Sequence, residues 1–143
     1  MSNLNQARNF FTVGEEASFS KTFTQEDVEL FGRLSGDTNP IHLDEAYAQM
    51  TRFKGRIIHG ALVVSLISTV LGTTLPGPGA IYLNQTVSFR APARANQRLT
   101  AKVRVTAWNE VKGRITIAGE VITDSGEQII RCESELVMVS FLK

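Results

Sequence analysis

Apolar positions follow a helical period in the first half of the chain and alternate strictly in the second. Thr24, a preferred N-cap, stands three residues before Asp27 as in a capping box. Val28, Leu30, Phe31 and Leu34 supply the apolar side of the helix this predicts, and Ser35-Gly36 stops it. Asn39-Pro40 then imposes an extended or turn conformation. A second short helix is expected from Asp44, with Ala46, Tyr47 and Met50 facing inward. Residues 60–71 (GALVVSLISTVL) are apolar on nearly every side, the pattern of a helix buried all round; Gly60 precedes it and Gly72 ends it. A buried strand is the competing reading, but 12 residues is long for one.

Beyond the turn-forming Leu75-Pro-Gly-Pro-Gly79 the period becomes two. Ala80–Phe89 reads as a strand. Leu99, Ala101, Val103, Val105 and Ala107 alternate with polar residues, as do Ile115, Ile117, Gly119 and Val121. Ile130, Cys132, Ser134, Leu136 and Met138 share one face of a last strand. Asn109–Gly113 and Asp124-Ser-Gly126 are the turns between them. Strands joined by short turns imply an antiparallel meander with one wet face and one that needs a cover. The 60–71 helix is the one apolar element able to provide it. The expected fold is therefore α+β: helices first, then an antiparallel sheet wrapped around a long central helix.

Composition narrows the class of molecule. A chain of 143 residues with 43% hydrophobic and 20% charged residues fits one globular domain over 1–143. Its polar first segment, 1–11, has no apolar signal core and is expected to be poorly ordered or peripheral. The longest apolar run is too short to span a bilayer, so no membrane association and a cytoplasmic location are expected. The single Cys132 makes no internal disulfide, and no Cys/His set has zinc spacing. The net charge of +1 argues against a nucleic-acid partner. That neutrality hides an asymmetry. Residues 46–109 hold eight Lys or Arg (Arg52, Lys54, Arg56, Arg90, Arg94, Arg98, Lys102, Arg104) and no Asp or Glu, whereas both flanks are acidic. The basic middle could steer an anionic ligand, or be the solvated face of alternating strands.

Candidate chemistry concentrates in Ser35-Gly-Asp37-Thr-Asn39-Pro-Ile-His42, a loop between two helices. Asp37 and His42, five residues apart across a proline turn, could hold and activate a water. Equally, Asp37 could form an Asx turn and His42 could be a packed or capping histidine. His59-Gly60 opens the apolar helix, where free N–H groups suit a carbonyl oxygen or oxyanion. Gly60 could also serve only tight packing. Ser65 within the helix either bonds a preceding carbonyl or lines the same pocket.

These residues carry a resemblance. Phe31-Gly-Arg-Leu-Ser-Gly-Asp37-Thr-Asn39-Pro-Ile-His42 with Ala46 and Ala48, then Ile58-His59-Gly60-Ala-Leu62, the 75–83 loop and Val87-Ser-Phe-Arg90-Ala-Pro92, resembles the MaoC-like hydratases, most nearly the stand-alone (R)-specific enoyl-CoA hydratases. The likeness runs from about Val13 to Val139. It implies the hot-dog fold, a sheet around a central helix, as a homodimer joined edge to edge. It implies reversible hydration of a trans-2-enoyl-CoA to an (R)-3-hydroxyacyl-CoA, a hydro-lyase activity of fatty-acid metabolism. Asp37 and His42 would hold the water, and the Gly60 N–H would polarise the thioester carbonyl. Asn39 would shape the loop, and Ser65, His59, Leu62 and Arg90 would line or support the substrate site. No metal or redox cofactor is implied, since hydration changes no oxidation state and coenzyme A enters with the substrate. The basic stretch would meet the phosphates of coenzyme A or an acidic acyl-carrier protein. The rivals are a dehydratase acting on carrier-protein thioesters, a hot-dog thioesterase and a non-catalytic acyl-CoA-binding subunit.

Overall fold

The computed structural model describes residues 7–142. Its order is β1 (Glu16–Thr22), α1 (Gln25–Ser35), α2 (Pro40–Leu43), α3 (Glu45–Gln49), α4 (Gly60–Thr73), β2 (Ala80–Phe89), β3 (Arg98–Asn109), β4 (Arg114–Thr123), β5 (Gln128–Met138) and a 3-10 turn at Val139–Phe141. One antiparallel sheet, ordered β1-β3-β4-β5-β2, packs its apolar face on α4. This is the α+β arrangement expected, with two differences. A strand absent from the sequence reading, β1, pairs with β3 from Glu16↔Arg104 to Thr22↔Arg98. The meander holds for β3-β4-β5 only. Ala80–Phe89 does not continue into β3 but lies at the far edge on β5. The segment Arg90–Gln97 carries the chain across the molecule, a non-local step that local periodicity does not encode.

The central helix α4 buries Leu62, Val63, Leu66, Ile67, Val70 and Leu71. Side chains this fully buried are worth roughly 1.5–3 kcal/mol each before cavity effects. It is not buried all round: Ala61, Ser68 and Gly72 are exposed, and these small residues recur along one outward stripe. Gly60 is its first residue and Gly72 lies inside it rather than ending it, the cap being Thr74. The sheet's inner face matches the alternation read from sequence. Ile115, Ile117 and Val121 are buried, as are Ile130, Cys132, Ser134, Leu136 and Met138. Ala107 is the exception; it is exposed because the β3–β4 register shifts between Val105 and Ala107.

In α1 the capping box forms as expected, Thr24 Oγ1 accepting from the Asp27 N–H and Asp27 accepting from the Thr24 N–H. The inward stripe is Val28 and Gly32 with Phe31 half-buried. Leu30 and Leu34, 54% and 82% exposed, form a second stripe toward solvent. Ala46, Tyr47 and Met50 also face outward, correcting the inward expectation, and Ala48 alone anchors α3. A helix this short buries about one residue per turn, too few for three apolar positions to share the core. Residues 1–6 lie outside the described part. Arg8, Asn9 and Phe10 are exposed, and Phe11 at the end of that segment is 2% exposed, its ring edge-on to Trp108 at 5.1 Å.

Candidate active site

The turn after α1 places Asp37. Gly36 caps the helix at φ 84°, a left-handed conformation that glycine adopts without strain. The Asp37 N–H donates to Ser35 Oγ at 3.1 Å, and Asp37 Oδ1 accepts from the Asn39 N–H at 3.2 Å. Asn39 in turn caps α2, its Oδ1 accepting from the Ile41 N–H, with Pro40 at the first helical turn. So the Asx turn is real, and Asn39 shapes the loop. Asp37 is nonetheless exposed, and its Oδ2 has no hydrogen-bond partner among the described residues.

The short helix α2 turns His42 inward, 8% exposed. The carbonyl of Ile57 accepts from His42 Nδ1 at 2.8 Å, which fixes the proton on Nδ1 and leaves Nε2 with a lone pair. Burial lowers the His42 pKa, as does the neighbouring His59; the Ile57 carbonyl and Asp37 oppose this, and the net direction is down. The ring is therefore neutral and basic at Nε2 near neutral pH.

His59 comes into the same cluster from the start of α4. It is 1% exposed, so it is a buried member of the cluster and no part of the cleft wall. Its Nε2 lies 2.9 Å from the carbonyl of Asp37, and its ring sits 3.9 Å from that of His42 at a 31° tilt. One Asp37 oxygen and one nitrogen from each histidine fall within 4.8 Å of one another. This looks like a metal triad by proximity, but a metal must lie in the plane of each ligating ring at about 2.0 Å. Here the rings lie face to face at 3.9 Å with a 31° tilt, each with one nitrogen already bonded to a backbone carbonyl. The cluster suits proton transfer.

Gly60 begins α4 beside this cluster. His59 occupies the N-cap position but makes no side-chain cap, and among the described residues the Gly60 N–H has no acceptor. That donor, at the positive end of the helix, is available to a ligand oxygen. The missing side chain has a packing reason: a Cβ at Gly60 would stand 2.7 Å from Phe89 Cε1. Gly60, His42, Val63 and Phe89 line a cleft of about 320 Å³, with Arg52 and Arg90 also in its lining.

The structure thus brings Asp37, His42 and His59 into one cluster, with His42, Gly60 and Arg90 lining the cleft and Asp37 outside its lining. It does not gather all that was expected. Leu62 is in the core and outside the cleft lining, where Val63 takes the wall position. Ser65 is half-buried and donates to the Leu62 carbonyl within its own helix, again outside the lining. Of the basic stretch, Arg56 pairs with Glu45 at 3.0 Å, Arg94 donates to the carbonyls of Phe53 and Arg56, and Arg98 pairs with Asp124. Lys102 and Arg104 stand in register with Glu120 and Glu16 on the sheet. Arg52, Lys54 and Arg90, like Lys102 and Arg104, make no ion pair among the described residues, and of these Arg52 and Arg90 line the cleft. Sequence reasoning missed Phe53 and Phe89 as cleft walls; their aromatic character beside Arg52 and Arg90 was the available signal.

Comparison with known proteins places the chain beside enoyl-CoA hydratases in sequence and fold. The chain is 49% identical over 117 residues to an (R)-specific enoyl-CoA hydratase of Rhodospirillum rubrum, covering 78% of this chain and 81% of the relative. It is 43% identical over 122 residues to the (R)-specific enoyl-CoA hydratase of Aeromonas caviae, covering 85% and 91%. The solved structure of an (R)-hydratase of Aeromonas caviae superimposes with a TM-score of 0.86 at 41% identity, over 90% of this chain and 97% of that one. An R-hydratase of Pseudomonas aeruginosa does so with a TM-score of 0.83 at 40% identity, over 90% and 82%. The hot-dog arrangement of these neighbours is that of the sheet and helix described above. The model of the MaoC-like domain matches residues 9–127, a span that holds Asp37, His42 and Gly60 together, and this chain belongs to that family.

Proposed function

We propose that this protein hydrates trans-2-enoyl-CoA thioesters to (R)-3-hydroxyacyl-CoA and catalyses the reverse dehydration. The observation that carries the reading is the meeting of a free Asp37 oxygen, a lone pair on His42 Nε2 and an unpaired Gly60 N–H beside one cleft. A water held by Asp37 and His42 attacks C3 of the enoyl chain. The C3–O bond forms as Nε2 takes a proton from that water. The C2=C3 π pair moves toward the thioester carbonyl, whose growing negative charge the Gly60 N–H stabilises. The proton on Nε2 then goes to C2, so one water supplies both the hydroxyl and the hydrogen, and the two side chains end as they began. No electron is gained or lost, and the reading calls for no metal or redox group. The (R) outcome rests on the two relatives at 49% and 43% identity, both (R)-specific hydratases.

Arg52 and Arg90 are the cations we assign to the phosphates of coenzyme A, because they line the cleft, whereas Arg56, Arg94 and Arg98 are held by protein acceptors and Arg104 lies on the sheet. A homodimer completes the reading. Strand β1 carries Glu16 and Lys21, charges that guard a sheet edge. The other edge, β2, has no charge and no proline in AIYLNQTVSF, and it exposes Ile81, Tyr82 and Leu83. Such an edge favours pairing with a second copy.

The test follows enoyl absorbance, thiol release and product configuration together. Hydration to the (R) alcohol without thiol release is expected. Asp37→Asn and His42→Gln should each lower kcat by about 10²–10⁴. Wild-type rates in both variants would show the assignment to be wrong, and thiol release without hydration would favour a thioesterase. Faster turnover on carrier-protein than on coenzyme A thioesters would favour the dehydratase of fatty-acid synthesis.

A further inference from the structure

We propose that His59 is a positioning residue for the hydration reaction, locked as the Nε2–H tautomer so that it holds the Asp37 backbone and the face of His42 at once. This rests on the hydratase reading and adds to it a role for a ring that substrate does not reach. The partner of Nε2, at 2.9 Å, is a carbonyl, which only accepts; the nitrogen must donate. The proton is then absent from Nδ1, which is buried without any hydrogen-bond partner. A bare imidazole lone pair is the least costly way to leave that atom unpaired, since a buried N–H without an acceptor costs more.

The ring meets three other elements. Phe31 of α1 packs edge-on at 4.8 Å, the loop offers the Asp37 carbonyl, and His42 of α2 lies against its face. The same carbonyl passes close to α1, where a Cβ at Gly32 would stand 3.2 Å from its oxygen. Movement of the loop away from α4 breaks the His59 bond.

The choice of residue at this position is informative. Asn, Asp or Ser at a helix N-cap would bond the second or third N–H of α4 and stabilise the helix. Histidine makes no such cap here and sends its side chain to the loop instead. One residue thus leaves the helix start open beside the Gly60 N–H and sets the distance from that start to Asp37.

The experiment compares wild type with His59→Phe, which keeps a flat ring and loses the donor, and His59→Gln, which returns a donor near the ε position. Nitrogen chemical shifts of the wild-type imidazole should report a protonated Nε2 and a bare Nδ1. In His59→Phe, kcat on an enoyl thioester should fall by about 30- to 100-fold with KM within about 3-fold, because binding survives and geometry does not. His59→Gln should recover at least about tenfold of that loss, as a donor restored to the Asp37 carbonyl restores the geometry. Circular dichroism and Tm confirm that each variant is folded. A protonated Nδ1, a kcat within about 3-fold of wild type in His59→Phe, or a glutamine variant no better than the phenylalanine one would overturn the proposal. A wild-type chain without hydratase activity would sink the reading beneath it, while the tautomer would still decide whether His59 holds the loop.

Discussion

His42 and His59 are stacked, yet each gives its proton to a different backbone carbonyl, His42 from Nδ1 and His59 from Nε2. The first is left with a base aimed at solvent and the second with a lone pair facing the protein interior. Depression of the His42 pKa has a consequence for stability. The folded value lies below the unfolded value of about 6.5, so between the two the unfolded chain binds more protons. Stability is then full above about 6.5 and falls as the pH drops through that window toward the folded value. The urea midpoint should decrease from pH 7.5 to pH 5.5 in the wild type, and the slope should flatten in His42→Gln. An unchanged slope would show that the buried imidazole is not the titrating group. At this scale the sequence made the placement of the loop legible: the spacing allowed Asp37 and His42 to approach one another and an Asx turn at Asp37, and both occur. His59 was legible only as a site residue. Burial and tautomer decide its role, and neither leaves a trace in residue order.

Among the elements, α4 combines a core and an open end. Its apolar run identified it from sequence, and its outward stripe of Ala61, Ser68 and Gly72 did not, because small residues score as neutral in any apolar pattern. Gly60 was legible as a helix start, but the reason for its missing side chain came from Phe89, 29 residues later in the chain. Gly60→Ala forces that ring aside. As Phe89 is 61% exposed, it can swing into solvent, and stability should change by less than about 1 kcal/mol. The cleft should suffer more: a displaced ring beside the Gly60 N–H is expected to lower kcat/KM by about tenfold or more. Parallel kinetics and thermal unfolding check this, and a large loss of Tm with unchanged kinetics would contradict it. The strand β1 shows the opposite failure of local reading. In EASFSKT only Ala17 and Phe19 are apolar, too few to announce a strand, and it exists because β3 offers a full row of backbone partners.

For the whole molecule, the number of strands after α4 was legible, and their order was not. Turn residues specify neighbours in a hairpin, so β3, β4 and β5 follow from sequence, whereas β2 on the far side of β5 is a matter of long-range pairing. That placement sets the exposed edge. A mass of twice the 15.7 kDa chain is expected by light scattering, and Leu83→Lys in the middle of β2 should shift it toward one chain. A single-chain mass for the wild type at working concentration would contradict the dimer.

The same placement bears on how the protein is made. Both edge strands are synthesised before the strands that hold them: β1 waits for β3, and β2 waits for β5, whose pairing starts at Phe89↔Ile130 and ends at Ala80↔Met138. The core helix likewise emerges before the sheet that covers it. A nascent chain lacking β5 therefore carries an uncharged strand, β2, with nothing to pair it. Its native contacts join distant positions, which slows folding and leaves that strand open to other chains meanwhile. Emergence of β5, Gln128–Met138, rather than completion of any one helix, is the event that permits closure, and a truncation just before Gln128 is expected to yield aggregate rather than a smaller folded unit.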